Sequence, residues 1–144
     1  MPRMIFPNLP VKDVQAARAF YEALGFAINE TFCDEQTACV VIEQNIMVML
    51  LEEEKFRSFI TNEIAPRDTT EALLSLSCDS RDEVVDLAAK ARAAGAERWN
   101  DPMDLGFMYG ESFRDLDGHV VELVWMDPAA AAAGPPEDAQ AATA

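Results

Sequence analysis

The sequence predicts an α+β fold made of two βαβββ modules whose curved mixed sheets surround a cleft, with the helices outside. Three observations lead there. The chain is 144 residues and 15.9 kDa, enough for one domain or for two small, similar halves. A strand–helix–three-strand order of apolar patterning occurs twice, offset by about 67 to 73 residues. Each helix is stopped by a glycine, Gly25 or Gly95.

The first unit opens on Met4 to Val11, a short apolar segment carrying Pro7 and Pro10. A proline cannot donate to a ladder, so this strand should have a free side. Asp13 can cap the helix that follows, whose apolar residues recur at helical spacing up to Gly25. Three strands are expected next, over Phe26 to Phe32, Thr37 to Ile42 and Ile46 to Leu51, separated by polar turns. Glu52 to Ile60 reads as a short helix whose acidic start complements the helix dipole. The second unit begins with a strand over Ala72 to Cys78. Ser80 and Glu83 then have capping-box spacing for a helix reaching Ala94. Glu97 to Asn100, Gly106 to Phe113 and His119 to Met126 supply three more strands. Module 1 therefore spans 3–60 and module 2 spans 70–128, within one domain of 1–128. Residues 129–144, nine of them alanine, read as a flexible tail.

Composition narrows the function. Eleven basic residues against 26 acidic ones give a net charge of −15. Phosphate binding needs clustered Lys and Arg, so nucleic acid is excluded as a partner, as is an anionic membrane surface. No apolar run reaches the roughly 20 residues of a spanning helix, and the start lacks a signal-peptide core. Cys33, Cys39 and Cys78 form no C-x-x-C pair and read as structural. A cytoplasmic protein is expected.

Two stretches carry a family resemblance: Phe20-Tyr21-Glu22-Ala23-Leu24-Gly25-Phe26, preceded by Leu9-Pro10-Val11-Lys12-Asp13, and Phe113-Arg114-Asp115-Leu116-Asp117-Gly118-His119-Val120-Val121-Glu122-Leu123. They resemble the vicinal oxygen chelate superfamily of glyoxalase I, bleomycin-resistance proteins and extradiol dioxygenases. The resemblance covers Arg3 to Pro128. Tyr109 to Phe113, with the Met-Asp-Pro ending, further resembles a bacterial subgroup described as predicted lactoylglutathione lyase. The resemblance implies one metal ligand from the first and last strand of each module. Here those positions fall on Phe6, Met49, Leu73 and Glu122. A lone carboxylate cannot hold Zn²⁺ or Ni²⁺ against water, and a two-residue slip brings in only Asn8 or Ser75. No metal and no other cofactor is expected.

Strand alternation places Phe6, Asn8, Met47, Met49, Leu73, Ser75, Ser77, Val124 and Glu122 on one face, an apolar surface with a few polar points suited to a small molecule. Tyr109 is a further candidate at the border of the cleft. Glu122, among apolar neighbours, reads either as a general base or acid or as a carboxylate satisfied by Asn8 or Ser75. Alternation puts the single histidine, His119, opposite Glu122, so no dyad is expected. Two functions follow. One is a metal-independent binder of a small organic molecule in an apolar cleft. The other is a lyase or isomerase of the lactoylglutathione lyase kind using Glu122. The resemblance implies a homodimer.

Overall fold

The computed structural model describes residues 2–134, and the part of the proposed tail beyond them lies outside the described residues. Module 1 forms a sheet ordered β1-β4-β3-β2, built from β1 (Asn8–Val11), β2 (Ala27–Ile28), β3 (Thr37–Glu43) and β4 (Ile46–Glu52). Its helices are α1 (Val14–Ala23) and the short α2 (Glu53–Arg57). Module 2 repeats the order: β5 (Leu73–Cys78), α3 (Arg81–Ala93), β6 (Glu97–Arg98), β7 (Met103–Asp104), β8 (Met108–Arg114) and β9 (Val120–Met126). Its sheet runs β5-β9-β8-β6, with β7 paired to β8. In both sheets the first strand is parallel to the last and the other pairs are antiparallel, so the sheets are mixed.

The duplication extends to register. Asn8 stands opposite Met49 in the first sheet as Ser75 stands opposite Glu122 in the second. The proline-bearing β1 is an edge strand, as a missing ladder donor requires. Both helix N-termini are capped as the sequence suggests. The Asp13 carboxylate accepts from the N–H groups of Gln15 and Ala16, and the Ser80 hydroxyl accepts from Glu83 N. Gly25 and Gly95 follow the helices at φ of 102° and 109°, a region closed to most side chains.

Several boundaries differ. β2 holds only two residues, because the Asn29 side chain accepts from Thr31 N and turns the chain into a 3₁₀ turn over Glu30–Phe32. β7 is an added strand whose hydrogen-bonding partner, β8, is supplied by the tertiary fold. At the C-terminal end, Pro128–Ala133 forms a helix, α4, where an unstructured tail was expected; Asp127 caps it through Ala129 N.

Helices α1 and α3 cover one face of each sheet. Leu9, Val11, Val40 and Leu50 of the first sheet and Phe113, Val121 and Leu123 of the second belong to one continuous buried cluster with Val14, Ala17, Phe20, Val84, Ala88 and Ala91 of the helices. Phe20 of α1 reaches Phe113 of β8, with ring centroids 5.9 Å apart. The modules thus share a core instead of holding one each, which suits halves too small to bury enough surface alone. At the seam, His119 Nε2 lies 2.7 Å from Pro10 O, and Lys12 N donates to Asp117 Oδ1 at 2.9 Å. The edge strands β1 and β5 approach across a pocket of about 200 Å³ lined by Asn8, Pro10, Ala72 and Leu74 among others.

Candidate ligand cleft

The sheet faces turned away from α1 and α3 carry the candidate residues. Register puts Asn8, Cys39, Met47, Met49 and Leu51 on the open face of the first sheet. It puts Leu73, Ser75, Ser77, Gly110, Ser112, Glu122 and Val124 on that of the second. Phe6, two residues before β1, is 44% exposed, and Leu73 is 53% exposed, so large apolar groups face solvent at the head of both edge strands. Asn8 turns back on its own chain, its Nδ2 donating to Phe6 O at 2.7 Å.

Glu122 is half-buried and accepts a hydrogen bond from the Ser75 hydroxyl on the neighbouring strand. Of the two partners the sequence offered, Ser75 is the one the fold supplies. The carboxylate lies in a small pocket lined also by Asn100, Asp101, Met103, Ser112 and Val124. Its surroundings are therefore mixed, where its sequence neighbours suggest an apolar wall. The first sheet holds an apolar pocket. Asn8 and Leu51 join Phe56, Phe59 and Ile60 around an open apolar pocket of about 440 Å³.

Tyr109 is misplaced by the sequence reading. Antiparallel pairing with Trp125 puts it on the helix face, where its hydroxyl donates to Glu111 Oε2 at 3.0 Å. The Arg81 guanidinium sits 5.2 Å from the Tyr109 ring centre and 5.3 Å from that of Trp125. Tyr109 thus belongs to the packing under α3. Strand phase in β8 depends on its pairing with β9, so the sequence around Tyr109 could not fix it; the same pairing brings Ser112 opposite Glu122. Phe56, Phe59 and Ile60 have i, i+3, i+4 spacing in the segment that the sequence predicts as a short helix, a usable signal for a shared face, although α2 itself ends at Arg57.

The four metal-ligand positions, Phe6, Met49, Leu73 and Glu122, offer a phenyl ring, a thioether, an isobutyl group and a carboxylate. That donor set does not fit Zn²⁺, Ni²⁺ or Fe²⁺, which take imidazole, thiolate or several carboxylates. Elsewhere, a charged cavity of about 240 Å³ at the module seam, lined by Lys12, Glu53, Arg57, Arg67, Asp117 and His119, stands apart from these residues.

Comparison with known proteins bears on the whole arrangement. A family model described as bleomycin resistance protein-like N-terminal matches residues 3–43. A hypothetical protein from S. aureus, SA1046, has the same fold at 29% identity and a TM-score of 0.74, over 87% of this chain and 95% of that one. A glyoxalase/bleomycin resistance protein/dioxygenase family enzyme from Burkholderia phytofirmans superposes at 19% identity and a TM-score of 0.72, over 87% and 99%. A bleomycin resistance determinant encoded on transposon Tn5 does so at 19% identity and a TM-score of 0.61, over 88% and 99%. The chain shares its fold with these glyoxalase and bleomycin resistance proteins. No curated protein sequence matches it. No helix among the described residues is long and apolar enough to cross a membrane.

Proposed function

We propose that this protein is a member of the vicinal oxygen chelate superfamily and a metal-independent binder of a small organic molecule, acting in the cytoplasm as a homodimer. The observation that carries the reading is the open apolar pocket of about 440 Å³ on the first sheet, where Leu51, Phe56, Phe59 and Ile60 surround a single polar side chain, Asn8. Such a pocket suits a ligand with an apolar body and a hydrogen-bonding group. The net charge of −15 would favour the approach of a cation. Exposed Phe6, Phe59 and Leu73 beside the open faces support pairing with a second copy, which would cover them. Three free cysteines are in keeping with a reducing compartment.

Light scattering should give twice the 15.9 kDa chain mass at micromolar concentration; a monomer mass would remove the dimer from the proposal. A second reading, a lyase or isomerase of the lactoylglutathione lyase kind, is favoured by Glu122, whose carboxylate is held by Ser75 beside a small pocket. Following methylglyoxal–glutathione turnover with and without added Ni²⁺ or Zn²⁺ separates the two. Neither turnover nor metal uptake is expected. Metal-stimulated turnover that disappears in Glu122→Gln would establish the enzyme instead.

A further inference from the structure

Sulfur gathers on the open face of the first sheet. Cys39 of β3 is the register partner of Met49 in β4, and Met47 shares that face two residues away. Cys39 Sγ lies 3.6 Å from Met47 Sδ. Cys33 closes the group from the neighbouring loop. β2 has ended by this point, and Cys33 Sγ accepts the Cys39 backbone N–H at 3.5 Å while its own S–H donates to Asn29 O at 3.2 Å. Cys39 is fully buried, but Cys33, Met47 and Met49 are only half-buried, so the group has a side open to solvent. Glu122 and its pocket belong to the other module and use none of these atoms.

We propose that Cys33, Cys39 and Met47 form a binding site for a soft monovalent cation, Cu(I) being the ion whose chemistry they match. Thiolate and thioether are soft donors, and such sets select Cu(I) over hard or borderline ions. Zn²⁺ takes four donors drawn from Cys, His and carboxylate, which this group does not supply. With metal–sulfur bonds of about 2.3 Å, three sulfurs around one ion stand roughly 4 Å apart. The Cys39–Met47 separation of 3.6 Å then asks for a small outward movement of one flexible thioether. Binding replaces two S–H protons: one Cu(I) enters, both thiols become thiolates, two protons leave to solvent, and no electron changes hands. Met47 is also a candidate for the small-molecule cleft, but Cu(I) uptake is read with no organic ligand present, so either proposal can fail alone.

The test is a competition titration of the purified chain, anaerobic and reduced, against the bicinchoninate complex of Cu(I). One equivalent of Cu(I) should leave the chelator. Cys33→Ser combined with Cys39→Ser should weaken uptake by at least roughly tenfold, the scale lost when even a supporting group of a metal site is removed. Met47→Leu keeps the apolar volume and the fold, and should also weaken it. Cys78→Ser should bind as the unaltered chain does, because Cys78 lies in β5 of module 2 and takes no part in the contacts among these sulfurs. No withdrawal of Cu(I), undiminished binding by Met47→Leu, or loss confined to Cys78→Ser would each overturn the site.

Discussion

The Tyr21 hydroxyl donates to Asp115 Oδ2 at 2.7 Å in a buried position, joining α1 of one module to the turn before β9 of the other. Asp115 Oδ1 is already occupied by the N–H groups of Asp117 and His119. Tyr21→Phe leaves Oδ2 without its donor and should cost about 2 kcal/mol, as for a hydrogen bond to a charged group. A lower urea midpoint at unchanged slope is the expected result. The carboxylates on the surface set the response to acid. The Lys55 ammonium holds Asp34 at about 2, and the Arg81 guanidinium holds Asp104 at about 2, below the ordinary 3.8. A folded value below the unfolded one stabilises the fold above pH 3.8, and that contribution fades as the pH falls towards about 2. Asp104→Asn should therefore show a shallower loss of stability than the unaltered chain between pH 4 and pH 2, read by denaturation at each pH. Asp117 acts in the opposite sense. Burial raises it, so its contribution is present at low pH and declines as the pH rises above 3.8.

Among the elements, α3 shows what spacing reveals and what it hides. Ser80 and Glu83 were legible as a cap because the motif is local: Ser80 Oγ accepts from Glu83 N at 3.1 Å. Glu83 Oε2 reaches back one residue further than the capping box requires, to Asp79 N at 3.3 Å. Ser80→Ala should cost about 1 kcal/mol. The next residue, Arg81, gave no such signal. Its guanidinium lies over Tyr109 and Trp125 and grips Asp104 with two contacts of 2.9 and 2.7 Å, partners 23 to 44 positions away. This clamp holds β7 and the loop from Asn100 that borders the Glu122 pocket. In Arg81→Ala, amide exchange should quicken at Leu105 and Gly106, whose N–H groups donate to Met108 O and Asp104 Oδ1, while the β5–β9 ladder keeps its protection. Uniform quickening across module 2 would count against a local clamp.

At the scale of the whole molecule, one core joins two halves. Phe20 packs against Tyr21 in its own helix and against Phe113 in the other module's sheet. Phe20→Ala should cost about 3–5 kcal/mol. Unfolding should remain a single transition by both tryptophan fluorescence and circular dichroism. Separate transitions for the two modules would contradict a shared core.

The sequence by itself determined the duplicated βαβββ order, the edge position of the proline-bearing first strand, the helix caps and the open-face placement of Asn8, Met49, Ser75 and Glu122. Each of these follows from local chemistry or from period-two alternation inside a single strand. Tertiary structure decided the rest. Tyr109 turned to the helix face because β8 takes its phase from β9, and β7 exists because β8 offers it an edge. Ser75, and not Asn8, meets Glu122 because the two lie opposite each other across the parallel β5–β9 pair. The mixed lining around Glu122 and the apolar pocket at Phe56 and Phe59 arise where segments far apart in the chain converge, a relation that spacing along one segment does not encode.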